Sequence, residues 1–514
     1  MRLVPYIRML RAYVKPTLGY VLQSTSCHSV IRHAAPIKRI YSTQLSKSNT
    51  DLTGTCPGCG APFQNHDRRR PGFMVASRDI SEPKKIVKNP SKDLDHATYQ
   101  KLLYDMDTST RQLLGVADPA IDDQPCSDSD TIPAKRRLCH RCHELNHKNR
   151  MEPLDLAHLR STLQYNSLSF LETKRQPLVV CLIDVADMPW SLYGLEKLAS
   201  IQPNSRVMII ANKMDLLPPA ALKHEQRLRE FILSTIKNRI NLEQIESLSL
   251  VSATKGWGMK SFLKRLSHTI LPSDDVYVLG CANVGKSAFI NRLLALSYGK
   301  NRDKYRTTSS KNPGTTLGNI LIPLHAFGLQ PDAPFGSSIR QHYLIDTPGI
   351  LDLSQGNSPK CLLTPEQQKQ ALSKRHDTPF KPVTFQLKPG QSFLLGRARV
   401  DIEDTTNGLP VLFTVFSNLP PHITKSSKLP LPDQNSSTHF HATSQHQSHA
   451  STDICFAGAG WVALAGAFGS ASLRIVLPQD VTKDACSIRE PSFLPYEFHG
   501  QIRKFFGAGH RAVQ

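Results

Sequence analysis

The sequence predicts an α/β protein with a central parallel sheet, a cysteine-bearing module before it and a β-rich region after it. From Pro177 onward, short apolar runs alternate with amphipathic segments, which is typical of repeated β-α units. A phosphate-binding fingerprint lies between one apolar run and the next helical segment, at residues 280–287. Two Cys-x-x-Cys pairs precede this region, beginning at Cys56 and Cys139.

Chain length indicates the number of domains, and the distribution of charge indicates an N-terminal targeting segment. At 514 residues, and with about 150 residues per domain, the chain is expected to form three units plus disordered segments. Residues 1–50 hold eight of the cations behind the net charge of +21 and no acid, mixed with Ser, Thr and apolar residues. That composition is typical of a mitochondrial presequence, predicted over residues 1–41 with cleavage between Tyr41 and Ser42. A basic disordered tail is the alternative; the presequence predicts the mitochondrial matrix.

The chain is predicted to have no transmembrane segment. The uncharged stretch at 455–473 contains four glycines, which favours strands and turns over a membrane span. Residues 435–451 are rich in Ser, His, Gln and Thr and are predicted to form a disordered loop.

The cysteine pairs predict a structural zinc site within residues 51–150. Two thiolates at i and i+3 can bind one face of a tetrahedral ion, and a second pair can close the other face. The 79 residues between the pairs are long for one site, so unrelated or redox-active pairs are the alternative. In a shared site this stretch is a looped-out insertion. The expected ligands are Cys56, Cys59, Cys139 and Cys142, and other nearby candidates are Cys126, His66, His140, His143 and His147.

The alternating region is predicted element by element. Strands are expected over 178–183, 207–210, 247–251 and 276–279, and helices over 220–236, 259–271 and 286–296.

Residues 280–287, GCANVGKS, fit the pattern GxxxxGK[ST] in full, between a predicted strand and a predicted helix. Gly280 and Gly285 let the backbone curl so that its NH groups cradle a β-phosphate. Lys286 is predicted to reach the β- and γ-phosphates, and Ser287 to bind Mg²⁺. The motif therefore indicates a nucleotide.

Two motifs after predicted strands indicate that the base is guanine. In NKMD, formed by Asn212, Lys213 and Asp215 around a methionine, the carboxylate can accept hydrogen bonds from N1-H and the 2-amino group of guanine. Adenine offers neither donor. Ser252 and Ala253 open SATK, which resembles a second base-reading motif.

A further motif, DTPG, resembles the sensor of the γ-phosphate. Asp346 would hold Mg²⁺ through water, and the NH of Gly349 would reach the γ-phosphate. The motifs run in the order NKMD, SATK, P-loop, PGTT, DTPG, whereas ordinary small GTPases begin with the P-loop. This order predicts a circularly permuted P-loop GTPase domain over 177–384. Permutation ties the β-rich domain, predicted over 385–514, directly to the parts that move on hydrolysis.

These features resemble the YqeH family of circularly permuted GTPases. CPGCG and LCHRCHELNH resemble its zinc finger, KNPGTTLGNILIPL its first switch, and LLGRARVDI, FTVFSNLPPHITK and FAGAGWVALAG its β-rich C-terminal domain. The resemblance implies one zinc ion shared by the four cysteines and Thr316 as a ligand of Mg²⁺. It also implies a role in small ribosomal subunit assembly, with small-subunit rRNA and mitochondrial ribosomal particles as partners. The family has mitochondrial members in fungi and animals.

Hydrolysis of GTP is expected to be slow. Ile350 follows DTPG where small GTPases carry a water-positioning Gln, and an alkyl group cannot orient water. The resemblance implies that Asn283 helps to hold K⁺; a role in ordering the loop is the alternative. The predicted catalytic residues are Lys286, Asn283, Thr316 and Gly349, with turnover raised by K⁺ and by a ribosomal particle.

The sequence suggests two classes of partner, RNA and the inner membrane. Residues 300–311 carry five cations and one acid just before the switch, which predicts an RNA contact; a solvated loop is the alternative. The second function class is a GTP-regulated scaffold peripheral to the inner membrane, linked to prohibitins or lipid metabolism. Loss of an assembly factor should deplete small-subunit particles first, and loss of a scaffold should change lipid composition first.

Overall fold

A computed structural model describes residues 54–74, 137–148, 168–297, 305–308, 316–329, 341–350, 362–367, 379–431, 437–446, 449–494 and 502–504. All of them belong to one unit, Leu52–Gln514. The predicted presequence, the interior of the insertion with Cys126, most of the basic segment and the first three residues of PGTT lie outside the described residues.

A six-stranded sheet in the order β3-β2-β1-β4-β6-β5 carries the nucleotide motifs. Its strands are β1 (Leu178–Asp184), β2 (Arg206–Asn212), β3 (Gln244–Leu250), β4 (Val276–Gly280), β5 (Ile320–Pro323) and β6 (Tyr343–Asp346). Among these strands only β5 runs antiparallel, against β6. Every residue of β1 and β4 is buried, which explains why continuous apolar runs mark them in the sequence.

Alternate residues of β1 enter two different cores. Val179, Cys181 and Ile183 pack on one face of the sheet, while Leu178 and Val180 pack on the other. The helices are α1 (His140–Lys148), α2 (Ser169–Glu172), α3 (Tyr193–Ile201), α4 (Pro219–Leu222), α5 (Glu225–Arg239), α6 (Met259–Thr269) and α7 (Lys286–Leu296). The predicted α/β alternation is confirmed. No helix among the described residues has the length and apolarity needed to cross a membrane.

One predicted helix, over 220–236, is instead two. Helix α4 ends at Leu222 and α5 begins at Glu225. Between them the NH groups of Lys223 and His224 bond carbonyls three residues back, which tightens the chain into a 3₁₀ turn.

Two sheets form the C-terminal part of the chain, antiparallel throughout except where β17 runs parallel to β7, so the predicted β-rich region is confirmed. One has the order β16-β13-β14-β10-β7-β17 and the other β11-β8-β9-β15-β12. Phe393 and Leu473 from the second sheet share a core with Phe413 and Val462 from the first. The strands are β7 (Val383–Leu387), β8 (Gln391–Leu395), β9 (Ala398–Thr405), β10 (Val411–Phe416), β11 (His422–Lys425), β12 (Ser437–Ser444), β13 (Thr452–Phe456), β14 (Gly460–Ala465), β15 (Gly469–Val476), β16 (Cys486–Arg489) and β17 (Ile502–Lys504).

The disordered loop predicted over 435–451 is wrong, because β12 lies within it. This strand pairs with β15 along all eight of its residues. His439, His441 and Thr443 face solvent, whereas Ala442 and Ser444 are buried. An edge strand with so little apolar surface gives no hydrophobic signal in the sequence, and backbone pairing to β15 holds it in place.

Candidate nucleotide and zinc sites

The P-loop joins β4 to α7 through residues that take left-handed backbone conformations. The φ angles are 147° at Gly280, 65° at Asn283 and 96° at Gly285. A Cβ atom added at Gly285 would lie 2.6 Å from Nδ2 of Asn212, so this position also needs glycine for space. Helix α7 begins at Lys286, and the NH groups of a helix's first turn lack intrahelical acceptors. The loop and the helix start therefore form an anion cradle.

Lys286 lies buried over this loop. Its ammonium donates to the carbonyl oxygens of Gly280 at 2.9 Å and Cys281 at 3.1 Å. Burial lowers the pKa of Lys286, and the charge of Asp346 opposes that shift. The two contacts hold the cation beside the P-loop curl.

Two hydroxyls and one carboxylate meet next to the cradle. Ser287 Oγ lies 3.2 Å from Thr316 Oγ1 and 3.4 Å from Asp346 Oδ2. Asp346 is fully buried, and its Oδ1 atom has no hydrogen-bond partner in the described structure. Burial raises the pKa of Asp346 to about 6, although the Lys286 charge lowers it. A buried carboxylate oxygen left unpaired beside two hydroxyls fits a hard divalent cation such as Mg²⁺.

One side chain ties the three loops on the base side together. Asn212 Nδ2 donates to the Val284 carbonyl at 2.8 Å, and its Oδ1 accepts from the Ala253 NH at 3.0 Å. The NKMD, P-loop and SATK segments therefore meet at one asparagine. Ser252, the first residue of SATK, is buried, and its Oγ accepts from the NH of Lys255 at 3.0 Å.

Asp215 and Lys213 of the NKMD motif also lie on the base side of the site. Asp215 Oδ2 accepts from Thr254 Oγ1 at 3.0 Å, which orients the carboxylate. Lys213 has a left-handed φ of 66°, and its ammonium pairs with Asp184 Oδ2 at 2.5 Å.

The DTPG segment lies against the P-loop. The Ala282 NH donates to the Ile350 carbonyl at 2.9 Å, and the Ile350 NH donates to the Gly280 carbonyl at 3.1 Å. A Cβ atom at Gly349 would come within 2.8 Å of the Ala282 Cα atom. The Ile350 side chain is buried, consistent with a residue that does not position water. All predicted nucleotide-site residues therefore converge on one end of the sheet.

Sequence reasoning missed three supporting residues. Thr254 bonds Asp215, Asp184 pairs with Lys213, and Arg292 Nε donates to the Ala253 carbonyl at 2.9 Å. The acidic end of strand β1 and the threonine of SATK are local signals, but neither of them reports its partner. All three contacts join segments that are distant in the chain.

The four predicted zinc ligands come together. The sulfur atoms of Cys56, Cys59, Cys139 and Cys142 all lie within 4.8 Å of one another, and all four residues are buried. The Cys59 and Cys139 sulfurs are 3.8 Å apart, close to the ~3.8 Å edge of a tetrahedron built with Zn–S bonds of about 2.3 Å. The cluster therefore fits a structural zinc ion. His140, a candidate ligand, instead lies 3.3 Å from Arg68 through its Nε2 atom.

Comparisons with known proteins agree with this site. The family described as 50S ribosome-binding GTPase matches residues 275–379. Protein YqeH of Bacillus subtilis is 29% identical over 374 residues, which is 69% of this chain and 89% of that protein. Human nitric oxide-associated protein 1 is 28% identical over 37% of this chain, and the mitochondrial genetic interactor of prohibitins 3 of Clavispora lusitaniae is 24% identical over 54%.

The matches to the last two proteins cover less than half of each, 31% of the human protein and 43% of the fungal one. The match to YqeH, in contrast, runs through most of both chains. The chain contains a GTPase domain, a four-cysteine cluster that fits zinc, and β-rich C-terminal sheets. These matches fit a GTP-binding protein of the YqeH type.

Proposed function

We propose that this protein is a mitochondrial GTPase that acts as a switch in small ribosomal subunit assembly. The observation that carries the proposal is the cluster formed by Ser287 with the buried residues Thr316 and Asp346 beside the P-loop. Thr316 belongs to the switch motif PGTT. Its contact with Ser287 gives the protein a means to tell GTP from GDP, because switch loops are held by the γ-phosphate and its Mg²⁺.

The residue roles follow from this geometry. Lys286 and the P-loop NH groups would hold the phosphates, and Ser287, Thr316 and Asp346 would hold Mg²⁺, which would neutralise charge on the β- and γ-phosphates. The NH of Gly349 would donate to the γ-phosphate. Asp215, oriented by Thr254, reads guanine, and Asn212 fixes the loop that carries it.

The domain is proposed to be circularly permuted. The base-reading strands β2 and β3 precede the P-loop strand β4 in the chain, yet β1 alone separates β2 from β4 in the sheet. The chain therefore enters the sheet at the central strand β1, builds the base side before the P-loop strand, and leaves the sheet from the switch side. The C-terminal β domain follows the segment that senses the γ-phosphate.

The absence of a water-positioning side chain at Ile350 supports slow intrinsic hydrolysis. Asn283, whose φ of 65° turns the P-loop, is proposed to help hold K⁺ as an activating charge. The rate is then expected to rise when Na⁺ is replaced by K⁺ and when a ribosomal particle binds.

The ribosome connection rests on the family. The matching family is described as binding the 50S ribosome, whereas the YqeH resemblance implies the small subunit. The proposed RNA contacts are the zinc module, the basic segment 300–311 and the C-terminal domain. Both ribosomal subunits must therefore be followed in the test.

The test is sedimentation of mitochondrial extract on sucrose gradients with a non-hydrolysable GTP analogue or with GDP. We expect the protein to migrate with small-subunit rRNA in the analogue and as free protein in GDP. Asp215→Asn supplies a matched control, because an amide pairs with xanthine rather than guanine. With a xanthosine triphosphate analogue, only this variant should migrate with small-subunit rRNA. Migration with the large subunit, or as free protein in every state, would overturn the small-subunit proposal.

The second candidate is a GTP-regulated scaffold at the inner membrane. It is favoured by the similarity to mitochondrial proteins named genetic interactors of prohibitins from two fungi. Recovery with membranes in GTP analogue, with particle profiles unchanged on depletion, would support it in place of the assembly switch.

A further inference from the structure

The four-cysteine cluster touches the switch directly. We define the zinc turn as residues 56–60, which carry the first cysteine pair. Its Cys59 carbonyl accepts from the NH of Leu317 at 2.7 Å and from the NH of Gly318 at 3.1 Å. Its Gly58 carbonyl accepts from the NH of Thr308 at 3.2 Å. The turn thus bonds the chain on both sides of the PGTT motif.

Packing strengthens this contact. The Leu317 side chain is buried in one cluster with the four cysteines. Where the two backbones cross, a Cβ atom at Gly60 would lie 2.5 Å from the Gly318 carbonyl oxygen, and a Cβ atom at Gly318 would collide with the Gly60 carbonyl. Two glycines therefore permit a backbone approach that any side chain would prevent.

The contact ends one residue from the proposed Mg²⁺ ligand. Thr316 precedes Leu317, and its hydroxyl lies 3.2 Å from Ser287 Oγ. Thr307, next to Thr308, is held by Asn291 of α7, whose Oδ1 accepts from the Thr307 NH at 2.9 Å. The switch is thus fixed between the P-loop helix on one side and the zinc turn on the other.

We propose that the zinc turn positions Thr316, so that zinc binding and GTP binding are thermodynamically coupled. The inference rests on the proposed GTPase function and adds the element that controls its switch. Cys59 and Gly318 are positioning residues, since they act through Thr316. Linkage requires the effect to be reciprocal: zinc raises the affinity for GTP with Mg²⁺ by a given factor, and GTP with Mg²⁺ raises the affinity for zinc by the same factor. GDP lacks the γ-phosphate that engages Thr316 and should have little effect.

The experiment measures the zinc affinity of the full-length protein by equilibrium competition with a colorimetric chelator. The affinity is measured with Mg²⁺ and a non-hydrolysable GTP analogue, with Mg²⁺ and GDP, and without nucleotide. We expect the analogue to raise the zinc affinity about 5-fold to 150-fold relative to GDP, the usual range of allosteric coupling. Equal zinc affinities in analogue and GDP would overturn the proposal.

Gly318→Ala tests the contact itself. The added methyl should separate the two backbones and bring the analogue-to-GDP ratio close to one, while zinc content and GDP affinity stay unchanged. Gly328→Ala is the control for a replaced glycine without a close contact: nothing lies within 4 Å of the added methyl, and its φ of +68° makes it at least as strained in the backbone. Should Gly318→Ala fail to fold, Leu317→Ala removes only the side chain packed on the cysteines and should reduce the ratio. Retention of the full ratio in these variants would also overturn the proposal.

A direct measurement of nucleotide binding distinguishes failure of the coupling proposal from failure of the GTPase proposal on which it rests. If neither the analogue nor GDP binds, as measured with fluorescent nucleotides, the GTPase proposal itself fails. If both nucleotides bind but the zinc affinity is the same with either one, only the coupling proposal fails.

Discussion

The zinc turn and the C-terminal domain both contact the GTPase domain, but they do so with different chemistry. The zinc turn uses backbone groups and the space left by glycines. The C-terminal contact uses side chains: Asp187 Oδ1 accepts from the Gly458 NH at 2.9 Å, and Trp190 Nε1 donates to the Asp484 carbonyl at 2.7 Å. A backbone contact depends on shape, and a side-chain contact depends on charge and hydrogen bonding.

These two side-chain hydrogen bonds fall on one short segment, residues 184–192, between β1 and α3. The same segment reaches the nucleotide loops, because Asp184 pairs with Lys213 and the Cys281 sulfur lies 3.7 Å from the Trp190 carbonyl. The C-terminal domain therefore rests against a segment that touches both the NKMD loop and the P-loop, and the zinc turn rests against the switch side. Glycine substitutions should weaken the contact of the zinc turn. Changes of charge or pH should weaken the contact of the C-terminal domain.

The largest effect is expected from Arg489→Met. Arg489 is buried and donates through Nε and Nη2 to Asp453 Oδ2, at 2.9 and 2.7 Å. It also lies 6.0 Å from the ring centroid of Phe231, on helix α5 of the GTPase domain. Its loss leaves a buried carboxylate without a counter-ion, which costs about 3–5 kcal/mol. Urea unfolding followed by tryptophan fluorescence measures the loss.

A second variant isolates the charge. Arg489→Met with Asp453→Asn removes the unpaired charge while keeping an acceptor for Ser492 Oγ, which now bonds Asp453 Oδ1 at 2.6 Å. The double variant should be more stable than Arg489→Met alone. If the two are equally destabilised, packing rather than charge holds this contact.

A smaller loss, about 2–3 kcal/mol, is expected from Gly60→Ala on the zinc side. The position has a φ of +76°, which costs an L-residue about 1–2 kcal/mol, and the added methyl meets the Gly318 backbone. Gly54→Ala is the control, since its φ is +121° but nothing lies within 4 Å. The midpoint of urea unfolding at saturating zinc compares them. Equal losses in both variants would mean that backbone strain, and not the close approach, sets the cost.

Most residues of the candidate nucleotide site could be predicted to lie together, because they belong to short motifs that follow strands, whereas Thr316 precedes β5. Parallel strands bring their carboxyl ends to one edge, so Asp215, Ser287 and Asp346 had to converge there. The zinc turn's contact with Leu317 could not be predicted, since backbone groups carry no sequence signal. Strand β12 was missed for a related reason, because its backbone pairing holds polar residues that read as loop.

The smallest effect expected, about 1 kcal/mol, concerns pH and Asp187. Burial raises the pKa of this carboxyl from 3.8 to about 7, the charge of Asp184 adds to the shift, and the Gly458 NH and the Lys213 charge oppose it. The folded chain then holds a proton that the unfolded chain releases between about pH 4 and 7, so this group's contribution to stability falls as pH rises through that window. Its side chain is only partly buried, so the effect is well below the ~1.4 kcal/mol per pKa unit of a full shift.

Asp187→Asn keeps the acceptor for Gly458 and cannot ionise, so its unfolding free energy should fall less than that of the parent between pH 5 and 8. Asp480→Asn serves as the control, because its pairing with Arg397 lowers the pKa of Asp480. That carboxyl is ionised in both the folded and the unfolded chain above pH 5, and its removal should leave the slope unchanged. Urea unfolding at a series of pH values measures both slopes. If Asp187→Asn and the parent respond to pH in parallel, Asp187 is already ionised at neutral pH, and the C-terminal contact does not depend on its proton.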